Sequence, residues 1–311
     1  MFTQKKNVVL NPRFQSGVKE KKMKYPKWTL VRLGIWRSGL FSITFLVFTS
    51  FMVAQTIDGQ KKFADSLFSI ENYFDAITEY KRLLYFDESN RFKYESNLRI
   101  AKSYKAGAKY GDALKYYLIS RNNCNQDSAI INIELEIIRV NILRRTTPEA
   151  IESLNKLQSK YAGKIDSSII NYWRGWAYIM ADDWDLASIE FAKIKSDHPL
   201  KMISDEVESE KYSVSFAKIS SLIIPGSGQV YTGNYLSGIM SLGWNVLWGY
   251  LTINAFLTER AVEGILIGGL LWTRFYKGNF QNAEKFAIEK NRKISNKAYE
   301  YLAKKYQGEK P

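Results

Sequence analysis

The stretch NYWRGWAYIMADDWDLASIEFAKIKSDHP, Asn171–Pro199, decides the fold. Its apolar residues recur three and four positions apart on either side of Ala181-Asp182-Asp183, which predicts two helices joined by a turn. The paired acids stand at the start of the second helix, where carboxylates cap its positive end. Gly175 lies in the first helix and Ala187 in the second, twelve residues on, with Trp184 three before the alanine and Phe191 four after it. The same pattern runs back along the chain every 37 residues: Ala76, Ala113, Ala150 and Ala187, followed four residues later by Tyr80, Tyr117, Leu154 and Phe191. Twelve before each alanine come Ala64, Ala101, Ile138 and Gly175, and three before it Tyr73, Tyr110 and Trp184. Paired antiparallel helices explain the register. A small residue in the first helix of each pair admits the second, the alanine fills the tight crossing, and the bulky residue fills the space between pairs.

These residues resemble the tetratricopeptide repeat. The fourth copy matches best, with Gly175, Tyr178, Trp184, Ala187, Phe191 and Pro199, and the third least, with Asn141 in an aromatic position. The resemblance implies an all-α solenoid of about four repeats over residues 58–200. Function in such a solenoid belongs to the concave face, lined by first-helix residues outside the packing pattern. By register these are Leu98, Lys102 and Lys105, then Leu135 and Arg139, then Tyr172, Trp176 and Ile179. Basic residues at one end and an aromatic-aliphatic patch at the other suit an extended peptide carrying an acidic group. For Trp176 and Ile179 the preferred account is plainer: they cover a neighbouring helix, such as one from Ile203 to Ile219.

Residues 201–224 predict a capping helix that stops at Pro225. From Leu236 to Leu257 there is no charge, and at about 1.5 Å per residue that length crosses a hydrocarbon core of about 30 Å. A second apolar stretch, Gly264 to Tyr276, follows. Gly226 and Gly228 permit a tight turn, and Tyr231 and Tyr235 suit the headgroup layer. Gln229 and Asn245 need polar partners, most simply each other or the second helix. Gly233 and Gly238, opposite Gly268 and Gly269, would let two helices approach closely. The run PGSGQVYTGNYLSG, with Pro225, Gly226, Gly228, Gln229, Tyr231, Gly233 and Gly238, resembles the signature of a family of small bacterial membrane hairpins. Tyr276, Gly278 and Asn279, then Ala283, Lys285 and Phe286, fit the stretch that follows the second helix in members carrying repeats. The resemblance implies a transmembrane hairpin over residues 225–277 and a basic helical tail over 278–311, and no defined chemistry.

The net charge is +14. Residues 1–37 hold +9 of it and residues 274–311 hold +6, so the region between is nearly neutral. A nucleic-acid binder carries its charge on the folded domain, so this distribution speaks for membrane flanks instead. The basic leader 1–37 precedes an uncharged stretch, 38–56, that predicts a signal peptide or an N-terminal anchor. Either places the solenoid on the outer face of the bacterial inner membrane. A two-pass hairpin then leaves the basic tail outside as well, against the positive-inside rule, unless the hairpin inserts as a unit. The single cysteine, Cys124, and the single histidine, His198 in a turn expected to be solvated, leave no thiolate zinc site and no convincing Ser-His-Asp triad.

The expected function is an envelope scaffold or adaptor, without catalysis or cofactor. Its hairpin would anchor it in the bilayer and could self-associate, while the groove holds a partner peptide or protein. The alternative is a transport or enzyme component that uses Gln229, Asn245, Glu263 and the tyrosines as an intramembrane polar site within an oligomer, although Glu263 falls in the turn between the two apolar stretches.

Overall fold

Each of the four expected copies folds as a pair of helices. The computed structural model describes residues 56–311, so the leader 1–37 and the apolar stretch before Thr56 lie outside the described residues. The pairs are α1 (Ile57–Ser69) with α2 (Tyr73–Phe86), α3 (Lys93–Ala106) with α4 (Tyr110–Asn122), α5 (Asp127–Leu143) with α6 (Thr147–Lys160), and α7 (Ser167–Met180) with α8 (Trp184–Ala192). Successive helices pack on one another along the chain, as in a repeat solenoid. The register residues make its core. Ala64, Ala101, Ile138, Ala76, Ala113, Ala150, Ala187, Tyr80, Tyr117, Leu154 and Phe191 are all fully buried. Gly175 shows why the crossing needs a small residue: a Cβ there would stand 2.5 Å from the Phe191 ring.

The turns repeat as faithfully as the core. Glu71, Ala108, Arg145 and Asp182, also 37 residues apart, each adopt positive φ (61°, 55°, 59° and 67°). The next residue's N–H returns to the carbonyl five residues back, Asn72 to Leu67, Lys109 to Tyr104, Thr146 to Asn141 and Asp183 to Tyr178. This is the Schellman closure, which satisfies the last carbonyls of the first helix. None of the four is glycine, although the left-handed region costs other residues roughly 1–2 kcal/mol. Asp183 caps α8 through Leu186 N–H as expected, and Asp182 accepts from the Trp184 indole at 2.7 Å.

After the fourth pair the expected single capping helix is two helices, α9 (Pro199–Glu210) and α10 (Val214–Ile223). Lys211 is extended, and Ser213 restarts the chain by capping Phe216 N–H. The Asn291 amide holds the break open by pairing with both the N–H and the carbonyl of Tyr212. His198 is not a solvated turn residue. Its Nδ1 accepts from Leu200 N–H to cap α9, its ring stacks on Phe191 at 5.1 Å, and burial lowers its pKa.

The short α11 (Ser227–Tyr231) leads into α12 (Tyr235–Leu257). Beyond the Thr258–Arg260 turn, α13 (Ala261–Leu266), a π-helical segment (Ile267–Trp272) and α14 (Thr273–Lys304) follow without a break. Among the described residues no helix is long and apolar enough to cross a membrane. This corrects the expectation of spanning helices. In α12 the tryptophans, glycines and asparagines dilute the aliphatic residues, and in the returning arm the charge-free stretch ends at Arg274 while the helix continues. The basic tail is part of the fold. In α14, Ala298 and Leu302 enter the same core as Ile179, Trp184 and Val207.

Candidate functional site

Two regions gather the candidate residues. The first is the hinge of the hairpin, built on Asn279. Its amide nitrogen donates to Ser221 O at 2.6 Å, and its side-chain oxygen accepts from Gly226 N–H, Gln229 Nε2 and the Ser241 hydroxyl at 2.8, 3.1 and 2.8 Å. Gln229 also donates to Asn279 O, and its own oxygen accepts from the Ser221 hydroxyl. The expected pairing of Gln229 with Asn245 does not form. Asn245 donates instead to Ser241 O one turn back, and its side-chain oxygen is buried without a partner. Ser221, Gln229 and Asn279 are sealed from solvent, so each bond is made where an unmade one is expensive.

The glycines serve this hinge. Gly226 has φ +94°, and a Cβ on it would strike Gly238 O at 2.2 Å. A Cβ on Gly228 would meet Ala217 O at 2.0 Å. Gly238 therefore faces Gly226 and Val230, not Gly268 or Gly269, and Gly233 has only Lys290 within 4 Å. The approach of the two arms lies further out, where Gly249 meets Trp272, Gly268 meets Thr252 and Gly264 meets Phe256. Tyr231 accepts from Ser213 N–H through its hydroxyl and packs edge-on against Tyr212 and Phe216. Tyr276 donates to Leu222 O, Pro225 opens the turn after α10 that Ser227 N–H closes on Ile224 O, and a Cβ at Gly278 would meet nothing within 4 Å. The motif thus locks α10, α11, α12 and α14 together. Beside it Asn245, Trp244, Arg274 and Phe275 line a cavity of about 500 Å³. Glu263, by contrast, pairs with Arg260 in the turn.

The second region is the concave face. Leu98, Lys102, Leu135 and Arg139 line a cavity of about 500 Å³ with Tyr94, Ile133, Glu136 and Trp173. Lys105 stands behind it, bound to Glu136 at 3.0 Å, and Glu136 also receives the Tyr117 hydroxyl and Arg139. Burial pushes the Lys105 ammonium below the usual lysine range, against the pull of Glu136. Burial pushes Glu136 upward, but Lys105 and Arg139 outweigh it and hold the carboxyl below its ordinary value. Within the cluster only the buried Arg139 Nε is left without a partner among the described residues. Arg139 lies over the Trp173 ring at 4.7 Å.

Trp176 and Ile179 share a core with Ile203 and Val207 of the Ile203–Ile219 segment, and they and Tyr172 are covered further. Ile179 is fully buried, and its carbonyl receives the Tyr299 hydroxyl of α14 at 2.8 Å. Trp176 is 4% exposed, and Tyr306 stands edge-on to it at 6.1 Å. The cover is the end of the chain itself. Tyr306 donates to the Tyr172 hydroxyl at 3.1 Å, and the Tyr172 hydroxyl donates in turn to Glu309 O. Arg139 binds the Glu309 carboxylate and Lys310 O, each at 2.8 Å. Sequence periodicity could not place these residues, because they follow the last helix and belong to no repeat.

Among the described residues no cluster of three or more His, Cys, Asp or Glu is placed to hold a metal ion. The fold defines an all-helical protein of packed sequential helix pairs. No family model, no curated protein and no solved structure matches the chain.

Proposed function

We propose that this protein is a bilayer-anchored scaffold of the bacterial envelope that holds an extended segment of a partner protein in the concave face of its solenoid. The observation that carries the reading is the open cavity among Leu98, Lys102, Leu135, Arg139 and Trp173, whose mainly polar lining carries two cations and is interrupted by these apolar side chains. Extended peptides bind such surfaces through apolar pockets and charge pairs, with no covalent step. Anchoring is supported by the way α12 is turned. Gly238, Asn245, Gly249, Thr252 and Ala255 face inward, while Leu236, Ile239, Val246, Leu247, Tyr250, Ile253 and Leu257 are exposed. The outer face of the hairpin is thus more apolar than its sequence average. Val262, Ile265, Leu266 and Leu270 on the returning arm are exposed as well, and exposed apolar side chains in such number suit a covering of lipid.

The binding reading is tested in membranes by crosslinking to the wild-type chain and to Lys102→Glu, which reverses an exposed charge at the cavity mouth. The expected result is loss of a partner captured by the wild type, with the variant still in the membrane fraction. Retention of every partner overturns the groove. The side of the membrane is read from Cys124, which stands in the turn between the second and third pairs. In cells with a permeabilised outer envelope, an impermeant maleimide is expected to label it without lysis. Labelling only after lysis places the solenoid in the cytoplasm.

A further inference from the structure

We propose that the groove recognises a partner segment with an aromatic residue and, three residues later, an acid, and that the chain's own Tyr306–Glu309 occupies this site as a displaceable stand-in. The proposal rests on the scaffold reading and adds the chemistry of the ligand and its control. The tail after Lys304 leaves helical geometry and is held as a bound peptide is held, through both side chains and backbone. Tyr306 supplies an aromatic anchor against Trp176 and a hydroxyl to Tyr172. Glu309 supplies the acid to Arg139, while the carbonyls of Glu309 and Lys310 accept from Tyr172 and Arg139. Tyr172 and Arg139 come from different repeats, so the segment bridges the third and fourth first-helices just as a ligand of the concave face would.

Three features make the tail displaceable. Only Tyr306 and the two residues at the very end are even partly buried, and the Glu309 side chain is 62% exposed. An ion pair at that exposure adds little hold. Second, the tail fills only one end of the site. The cavity is also lined by Leu98 and Lys102, and among the described residues Lys102 forms no ion pair and the buried Arg139 Nε has no partner. A longer partner segment with a further acid can use both, and so outbid the tail. Third, the tail's turn depends on one residue: a Cβ at Gly308 would lie 2.1 Å from the Tyr306 hydroxyl. Charge complementarity fixes the occupant as acidic, since Lys102 and Arg139 point into the open part while Glu136 is consumed by Lys105 and Arg139.

The test uses a fluorescein-labelled hexapeptide of the sequence Tyr-Gln-Gly-Glu-Lys-Pro, titrated against the full chain in detergent micelles by fluorescence anisotropy. Weak binding to the wild type is expected, because the tail competes at high local concentration. Tyr306→Ser/Glu309→Lys is expected to bind the peptide at least tenfold more tightly, and Gly308→Ala to do so without any change of charge. Adding Arg139→Glu to the tail variant is expected to abolish the gain. All these tail residues lie past α14, and an unchanged thermal melt by circular dichroism checks that the fold is kept. Equal affinity of the wild type and both tail variants overturns the proposal, as does a gain that survives Arg139→Glu. Dimers formed by tail exchange, seen by light scattering and removed by Tyr306→Ser/Glu309→Lys, also overturn it by making a second copy the occupant. If the peptide fails while Lys102→Glu still releases the crosslinked partner, the tail inference falls and the scaffold reading stands. If Lys102→Glu releases nothing while the peptide behaves as described, the tail's occupancy of the site stands, and the partner segment for which it stands in falls with the scaffold reading.

Discussion

Asn279→Leu is expected to destabilise the junction of the hairpin and the solenoid by about 3–6 kcal/mol, because it orphans several buried polar groups at once. Ser221 O loses its donor and Gly226 N–H its acceptor in a site closed to water, Gln229 Nε2 keeps only its bond to the main-chain carbonyl at position 279, and the partly buried Ser241 hydroxyl loses its acceptor. Each unsatisfied group costs about 1–3 kcal/mol, and leucine can answer none of them. Denaturant unfolding in micelles, followed by tryptophan fluorescence, reads the loss directly, since Trp244, Trp248 and Trp272 all lie in the hairpin. Adding Gln229→Leu is expected to cost less than it does alone, because one of the three side-chain bonds of Gln229, that to Asn279 Oδ1, is already lost. A loss below about 1 kcal/mol for Asn279→Leu would mean that the hinge is held by its close glycine contacts and not by this amide.

That hinge also marks how far sequence reasoning reached. Gly226, Gly228, Gln229 and Asn279 carried a resemblance strong enough to single them out, yet their partners Ser221 and Ser241 did not. A serine in a helix has no periodicity of its own, and only the returning arm gives it a role. Of the two partners expected for Gln229, Asn245 or the second helix, the turn at Gly226 directs it to the second, at Asn279. The repeat register was legible for the opposite reason. A helix crossing fixes side-chain volume, so Ala187 and Gly175 betray it in any single copy, and four copies remove the coincidence. The Schellman turns at Glu71, Ala108, Arg145 and Asp182 share that spacing and passed unseen, because none carries the glycine that usually marks a left-handed residue. The charge-free length of α12 misled because freedom from charge is not apolarity: Asn245, Gly249 and Thr252, though turned inward, leave the helix less apolar than a membrane span requires. The tail was the least legible element. Tyr306 meets Trp176 across a separation that no local pattern encodes, and only the length and direction of α14 bring it there.

The second large effect tests the crossing that defines the repeat. Phe191→Ala is expected to cost about 3–5 kcal/mol, the range for removing a fully buried phenylalanine ring. The ring lies against Gly175 and also stacks on His198, so its loss opens a cavity that two elements cannot close together. Gly175→Ala is expected to cost about 1–2 kcal/mol in the wild type. Its new methyl would stand 2.5 Å from the ring, and that overpacking, about 1–3 kcal/mol, exceeds the roughly 1 kcal/mol that alanine gains over glycine in a helix. The combination decides between clash and mere intolerance of change. In the Phe191→Ala background the same methyl enters vacant space and keeps the helical gain, so Gly175→Ala is expected to become stabilising, by about 1 kcal/mol. A double-mutant cycle by urea unfolding measures that reversal of sign. If Gly175→Ala costs the same in both backgrounds, the glycine is required by its backbone and not by the approach of the phenylalanine. The small-residue register would then have a different cause in the fourth pair from the one that the alanine at Ala64 and Ala101 implies for the first two.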